Sequence, residues 1–126
     1  MKYTKEYVII ILILLFIFSA EFITVKITNK LLDRVYKNLG ELEEDIKTKK
    51  VDESLEKLFK DWEKDEKILS LYMEHSEIEK ISTLVRNLKI NLETNNYLNV
   101  EEEVNEIKFR LDYIRNKQRL NLKNIF

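Results

Sequence analysis

The feature that most limits the fold is an apolar segment close to the N-terminus, within MKYTKEYVIIILILLFIFSAEFITVKI. Between Tyr7 and Phe18 the tyrosine hydroxyl is the one polar side-chain group. This run is shorter than the roughly 20 residues that cross about 30 Å of hydrocarbon, but extension through Val25 supplies the missing length. Isoleucine and leucine would lie on every side of such a helix, which a chain of this size cannot bury. The segment is therefore predicted to cross a membrane.

A cleaved signal peptide is the main alternative, because Lys2 and Lys5 form a basic region ahead of the apolar run. Cleavage after Ala20 would place Phe18 where the cleavage site requires a small residue. An uncleaved signal anchor is favoured for this reason. The predicted domains are an anchor of residues 1–26 and a helical domain of residues 27–126.

The orientation in the membrane does not follow from the basic residues, which tend to stay on the cytoplasmic side. They flank both ends of the segment: Lys2, Lys5, Lys26, Lys30, Arg34 and Lys37. A short N-terminal tail before a single span is typical of a signal anchor. The expected location is thus the cell membrane, with one pass and the C-terminal domain on the extracytoplasmic side.

The rest of the chain has a helical composition. It contains no proline, and Gly40 is the single glycine of all 126 residues. Phosphate-binding loops of the P-loop and dinucleotide-binding kinds need several glycines, so both classes are excluded. The absence of cysteine excludes disulfides and thiolate metal ligands.

Apolar residues then recur at intervals of three and four, the period of a helix buried on one face. The first such stripe follows the anchor directly, and three more follow it. Together they are Ile27, Leu31, Val35, Leu39, Leu42 and Ile46; Leu55, Leu58, Phe59, Trp62, Leu69 and Met73; Ile81, Leu84, Val85, Leu88 and Leu92; and Val100, Val104, Ile107, Leu111 and Ile114. The predicted fold is all-α, with an N-terminal transmembrane helix continuing into an antiparallel bundle of three to four helices.

The stretch LYMEHSEIEKIS contains the only histidine of the chain. The apolar stripe changes direction here, which predicts that one helix ends and another begins. His75 is placed in the last turn of the first helix, and Ser76 with Glu79 has the spacing of a capping box. One long helix over residues 53–94 remains the alternative.

The last helix carries a second apolar face. Phe109 and Tyr113 lie opposite its buried stripe, four residues apart. One interpretation is that the chain loops back at residues 115–119 and covers this pair with the apolar tail residues Leu120, Leu122, Ile125 and Phe126. The other is that the pair anchors a partner protein, since aromatic side chains are common in interface centres.

No catalytic, metal or cofactor site is expected. A single histidine without cysteine leaves zinc and iron few of their preferred ligands, and serine catalysis would have to use His75 without any nucleophile-elbow pattern. The formal net charge of −1 at pH 7 does not favour nucleic-acid binding.

The N-terminal span, the central Trp62, the block HSEIEKI and the ending LNLKNIF resemble a family of small bacterial membrane-anchored helical proteins of unknown function, found mainly in spore-forming anaerobes. The resemblance implies an anchored layout and a bacterial source, and the family has no established activity or catalytic residues to carry over. The resemblance also implies a place beside a multi-pass membrane protein. The expected function is that of a non-enzymatic interaction or accessory subunit, and an extracytoplasmic ligand-sensing domain is the alternative.

Overall fold

The computed structural model describes the backbone of residues 3–125 and the side chains of residues 3–120. Within that part the chain forms four helices and no strand: α1 (Thr4–Thr48), α2 (Asp52–Leu69), α3 (His75–Glu93) and α4 (Val100–Ile125). The all-α prediction is confirmed.

The helix α1 is 45 residues long and has two parts with different surroundings. We call residues 4–27 its apolar half and residues 28–48 its bundle half. No residue of the apolar half is buried, whereas the bundle half carries all seven buried residues of α1. The prediction that the apolar segment continues as one helix into the bundle is therefore confirmed. With no proline to interrupt it, the helix passes through Gly40 without a break.

The bundle half packs between α2 and α4, and α3 completes the ring by contacting the same two helices. Short connections make each helix antiparallel to the next. The core is built from most residues of the four predicted stripes and from residues outside them such as Leu32 and Ile78, whereas Ile27, predicted to belong to the first stripe, is exposed. The most deeply buried side chains of the core include Leu32, Leu39, Leu58, Ile81, Leu88, Ile107 and Leu111. Trp62 is buried among them and donates a hydrogen bond from Nε1 to Ser82 Oγ at 2.9 Å, which joins α2 to α3.

Two helices end at residues that adopt left-handed backbone conformations. Lys49 follows α1 with φ 57° and Asn95 follows α3 with φ 57°. At each end the next residue donates a backbone hydrogen bond five residues back, from Lys50 to Asp45 and from Asn96 to Asn91. This is the Schellman arrangement that satisfies the last helical carbonyls. The tight turns thus form without glycine.

The predicted break between the second and third helices is confirmed, but its residues occupy positions other than those predicted. His75 is the first residue of α3, not part of the last turn of α2, which ends at Leu69. Ser76 lies inside α3 and does not form the capping box with Glu79, because Glu74 occupies the N-cap position and no side chain there bonds to the helix backbone. The one-helix alternative for residues 53–94 is wrong.

Candidate interaction surface

A buried ion pair fixes α1 against α2. Asp65 is fully buried, and its carboxylate accepts a hydrogen bond from the guanidinium of Arg34, whose side chain is 40% exposed. Burial raises the pKa of Asp65, and the hydrogen bond from Arg34 offsets part of that effect. The second carboxylate oxygen of Asp65 has no hydrogen-bond partner among the described residues. One turn further along, Asn38 donates to Asp61 at 2.8 Å.

The sequence pattern did not predict this pair. Both Asp65 and Glu66 follow Trp62 by about one turn, so helical spacing places both of them near the same face. Asp65 is the carboxylate that packs inward, while Glu66 is only half-buried. The signal that was available is the spacing itself, since Asp65 lies three residues after Trp62 and four before Leu69.

A ladder of polar contacts joins α1 to α4. Arg115 donates to Asp33 at 2.6 Å, and Tyr36 donates its hydroxyl to Asp112. Burial and the hydrogen bond to Asp112 raise the pKa of Tyr36. Because α4 runs antiparallel to α1, later residues of α4 pair with earlier residues of α1 along this ladder.

The ladder ends at Thr28, which is buried where the bundle meets the apolar half of α1. Its hydroxyl donates to the carbonyl of Thr24 at 2.8 Å and shares a hydrogen bond of 2.7 Å with the Tyr72 hydroxyl. Gln118 Nε2 donates to the same oxygen at 3.1 Å. Because a hydroxyl has one proton, Tyr72 is the donor in its bond to Thr28. The α2–α3 loop and α4 therefore both reach the level of Thr28.

A cleft of about 360 Å³ opens beside this cluster. Its lining is rich in carboxylates from three parts of the chain, with Glu21 from α1, Glu74 from the loop and Glu77 from α3. Lys117 is the lining cation and binds Glu74 with Nζ 2.7 Å from the carboxylate oxygen. That contact lowers the pKa of Glu74 and raises the pKa of Lys117.

The outward face of α4 exposes a row of apolar side chains. Phe109 is 62% exposed and Tyr113 is 44% exposed, as helical spacing predicted for a second apolar face. Leu120 lies on the same face and is also exposed. The Lys117 ammonium stands 5.8 Å from the centre of the Tyr113 ring and partly covers it.

The predicted fold-back of the C-terminal tail is wrong. Residues 115–119 are helical, because α4 continues without a break from Val100 to Ile125. The ties from Arg115 to Asp33 and from Gln118 to Thr28 hold this part of α4 against α1. Leu120 therefore follows Phe109 and Tyr113 along one rigid face and does not cover them. The side chains of Leu122 and Ile125, and all of Phe126, lie outside the described residues.

The remaining predicted residues do not assemble into a chemical centre. His75 and Glu79 line a small cavity of about 180 Å³ at the start of α3, with Arg86 as its cation. Among the residues that the structure describes, no group of three or more histidine, aspartate or glutamate side chains is placed to hold a metal ion.

The first half of α1 contains a segment long and apolar enough to cross a membrane, and none of it is buried. Comparison with protein families finds a match between residues 22–125 and the family described as a domain of unknown function, DUF4363. The match begins just past the longest apolar run and covers the whole bundle. Neither a search of curated proteins nor a search of solved structures found a match.

Proposed function

We propose that this chain, which belongs to the DUF4363 family, is a membrane-anchored interaction subunit that binds a helix of a membrane protein and catalyses no reaction. The apolar half of α1 is the anchor, left uncleaved, and the bundle stands on the extracytoplasmic side. The observation that carries the proposal is the exposed row Phe109, Tyr113 and Leu120 on a bundle that is continuous with this anchor.

The spacing of the row suits a helical partner. Phe109, Tyr113, Asn116 and Leu120 follow one another at intervals of four, three and four residues, which is the spacing of the seam between two packed helices. Aromatic side chains on a rigid element make good interface anchors, since they lose little conformational freedom on binding. Asn116 would then be the polar position that fixes the register of such a pair.

The direction of the row suits a partner in the same membrane. α4 runs antiparallel to α1, so the row is roughly parallel to the anchor, and Leu120 lies at its membrane end. A helix that packed along this row would therefore point toward the bilayer beside the anchor. A helix of an integral membrane protein is oriented by the bilayer in this way, whereas a helix of a soluble protein is not.

Photo-crosslinking tests this proposal. A benzoylphenylalanine introduced at position 109 of the full chain is expected to crosslink in native membranes to an integral membrane protein, and Tyr113→Ser is expected to abolish the product. Leu98 is an exposed apolar residue at the other end of the bundle, so the same probe at position 98 serves as the control. Equal products from both positions, or none from position 109, would contradict the proposal.

The anchor and the orientation need separate measurements. The chain is expected to resist carbonate extraction and to keep the N-terminal residues that precede Glu21. A Leu98→Cys variant is expected to react with a membrane-impermeant maleimide in intact cells. A soluble chain that begins at Glu21 would contradict the anchor, and labelling of Leu98→Cys only after lysis would contradict the orientation.

A ligand-sensing domain is the second candidate, and the cleft beside Thr28 favours it. Its polar lining of Glu21, Glu74, Glu77 and Lys117 converges between helices, as expected of a site for a small polar molecule. A ligand that bound there would raise the unfolding temperature of the bundle, by an amount that grows with the logarithm of its concentration relative to its Kd. Thermal shifts with polar metabolites, compared between the native chain and Glu77→Gln, test this candidate.

A further inference from the structure

The level of the α2–α3 loop relative to the anchor follows from its contacts. Tyr72 in the loop bonds to Thr28, and Thr28 lies three residues after Val25, the end of the apolar segment. At 1.5 Å per helical residue that distance is about 4.5 Å. The headgroup regions make a bilayer of about 30 Å hydrocarbon about 40 to 45 Å thick in total. The loop therefore falls within the headgroup layer if α1 spans the membrane.

This loop exposes an apolar side chain at that level. Leu71, next to Tyr72, is 84% exposed, and Ile68 at the end of α2 is partly exposed as well. Tyrosine and leucine at the level of the headgroups are typical of segments that rest in a membrane interface. Because Leu71 is so exposed, packing within the described bundle does not account for an apolar side chain at this position.

The end of α4 extends further toward the apolar half of α1 than the α2–α3 loop does. Arg115 pairs with Asp33 and Gln118 pairs with Thr28, so each further residue of α4 lies beside an earlier residue of α1. Seven more residues follow Gln118 in this helix, which adds about 10 Å. The backbone of α4 therefore extends past the α2–α3 loop to the level of Phe22 in the apolar half of α1. Leu120, in this last part, is exposed.

Exposed cations surround this end of the bundle. Lys26 and Lys30 lie on α1, Lys67 lies near the end of α2, and Arg119 lies on α4. None of the four forms an ion pair with another described residue. Cations at the headgroup level attract anionic lipids.

We propose that the α2–α3 loop and the turn of α4 that contains Leu120 contact the surface of the bilayer that holds α1, with Leu71 and Leu120 in the headgroup layer. The proposal rests on the membrane insertion of α1 given under the proposed function. Its consequence is that the bundle lies directly against the membrane and contacts it through α1, the α2–α3 loop and the end of α4.

Depth-dependent fluorescence quenching tests this proposal. The chain has no cysteine, so Leu71→Cys, Leu120→Cys, Leu98→Cys and Ile13→Cys can each be labelled with bimane at one site. Each full-length variant is reconstituted in vesicles of phosphatidylcholine and phosphatidylglycerol that carry a nitroxide on the headgroup or on the acyl chain. Leu98 is a matched control for Leu71, since it is 87% exposed and lies in the α3–α4 connection at the far end of the bundle.

We expect the headgroup nitroxide to remove most of the fluorescence at positions 71 and 120 and to leave position 98 unchanged. The acyl-chain nitroxide should quench position 13. Fluorescence retained at position 71 or position 120, with position 13 quenched, would overturn this proposal and leave the anchor standing. Fluorescence retained at position 13 would show that α1 does not insert, and the anchor and this proposal would then fall together.

Discussion

The two halves of α1 are one uninterrupted helix, yet their side chains meet opposite surroundings. In the apolar half every residue from Tyr7 to Ile17 is exposed, although all of them are large and apolar. In the bundle half the buried residues keep to one face and the opposite face is charged. Both halves are helical along their whole length, so secondary structure does not separate them.

The difference lies in how apolar residues are distributed around the helix. An all-round apolar surface needs an apolar solvent, and a single stripe needs a neighbouring protein surface. The fixed polar contacts follow the same division. Arg34, Asp33, Tyr36 and Asn38 all bond to other helices from the bundle half. A change of side chain should therefore have different consequences in the two halves.

The largest difference is expected for leucine truncation. Leu32 is fully buried in the bundle half and Leu12 is exposed in the apolar half. Leu32→Ala should lower the free energy of unfolding of the bundle by about 3 to 5 kcal/mol, because it removes buried contacts and leaves a cavity. Leu12→Ala should leave that free energy unchanged. Denaturation of both variants in the same detergent, followed by circular dichroism, measures the difference; similar losses would contradict the division of α1.

A charge should be costly inside the apolar half of α1 and tolerated at its last residue. Ile13→Lys is expected to cost about 3 kcal/mol of membrane insertion, the penalty for a lysine near the centre of a span. Ile27→Lys should cost little, because Ile27 follows Lys26 at the border of the bundle half. The carbonate-resistant fraction of each variant measures insertion. If both variants remained equally membrane-bound, the apolar half would not be the span.

Removal of the arginine of the buried pair tests the contacts of the bundle half. Arg34→Met leaves Asp65 buried without its donor, and should lower the free energy of unfolding by about 2 to 3 kcal/mol at pH 7, somewhat less than breaking a fully buried pair. A double variant with Asp65→Leu should recover most of this loss, since two apolar residues replace the pair. Chemical denaturation at pH 7 measures all three chains, and a double variant as unstable as the single one would contradict this explanation.

The loss of stability in Arg34→Met should also depend on pH. Burial raises the pKa of Asp65, and loss of Arg34 should raise it further, so the folded chain would bind a proton at a pH where the unfolded chain has released it. The folded state is then favoured at low pH, and this contribution is lost as pH rises through the raised pKa. The deficit of Arg34→Met should thus shrink from pH 7 toward the ordinary aspartate pKa of about 3.9. A deficit that grew on acidification would contradict the sign.

The smallest expected effect is a gain. Gly40 lies within α1, and a methyl group at this position would meet no heavy atom beyond its own stretch of helix within 4 Å. Gly40→Ala should therefore stabilise the bundle by about 1 kcal/mol through helix propensity alone. Ala20→Gly makes the reverse exchange in the apolar half and should leave the unfolding of the bundle unchanged. A destabilising Gly40→Ala would indicate a close contact there.

The sequence was sufficient for features that depend on local pattern. The absence of proline and the regular spacing from Ile27 to Ile46 predicted that the apolar segment continues as a helix into the bundle. The change in stripe direction predicted the joint near His75. The residues that form this joint were predicted wrongly, because Glu74 occupies the N-cap position of α3 without a side-chain hydrogen bond to the helix backbone.

Features that depend on contacts between distant residues were not predictable. Helical spacing places Asp65 and Glu66 near the same face, and the sequence does not tell which of them pairs with Arg34. The pair that forms joins Arg34 to Asp65, thirty-one residues apart in the chain. Likewise, the polar run from Arg115 to Arg119 reads as a loop, and remains helical because Asp33 and Thr28 hold it. For the candidate surface, the exposure of Phe109 and Tyr113 followed from helical spacing, but the alignment of Leu120 with them required the full length of α4.

If the apolar half spans a membrane as proposed, the unbroken α1 would act as a lever. Its bundle half is about 30 Å long at 1.5 Å per residue, and it shares one axis with the apolar half. A rotation of the anchor by roughly 10°, within the range of tilts that spans adopt in bilayers of different thickness, would displace the Lys49 turn by about 5 Å. Bilayer thickness would thereby become a mechanical input to the far end of the bundle, where Leu98 stands exposed.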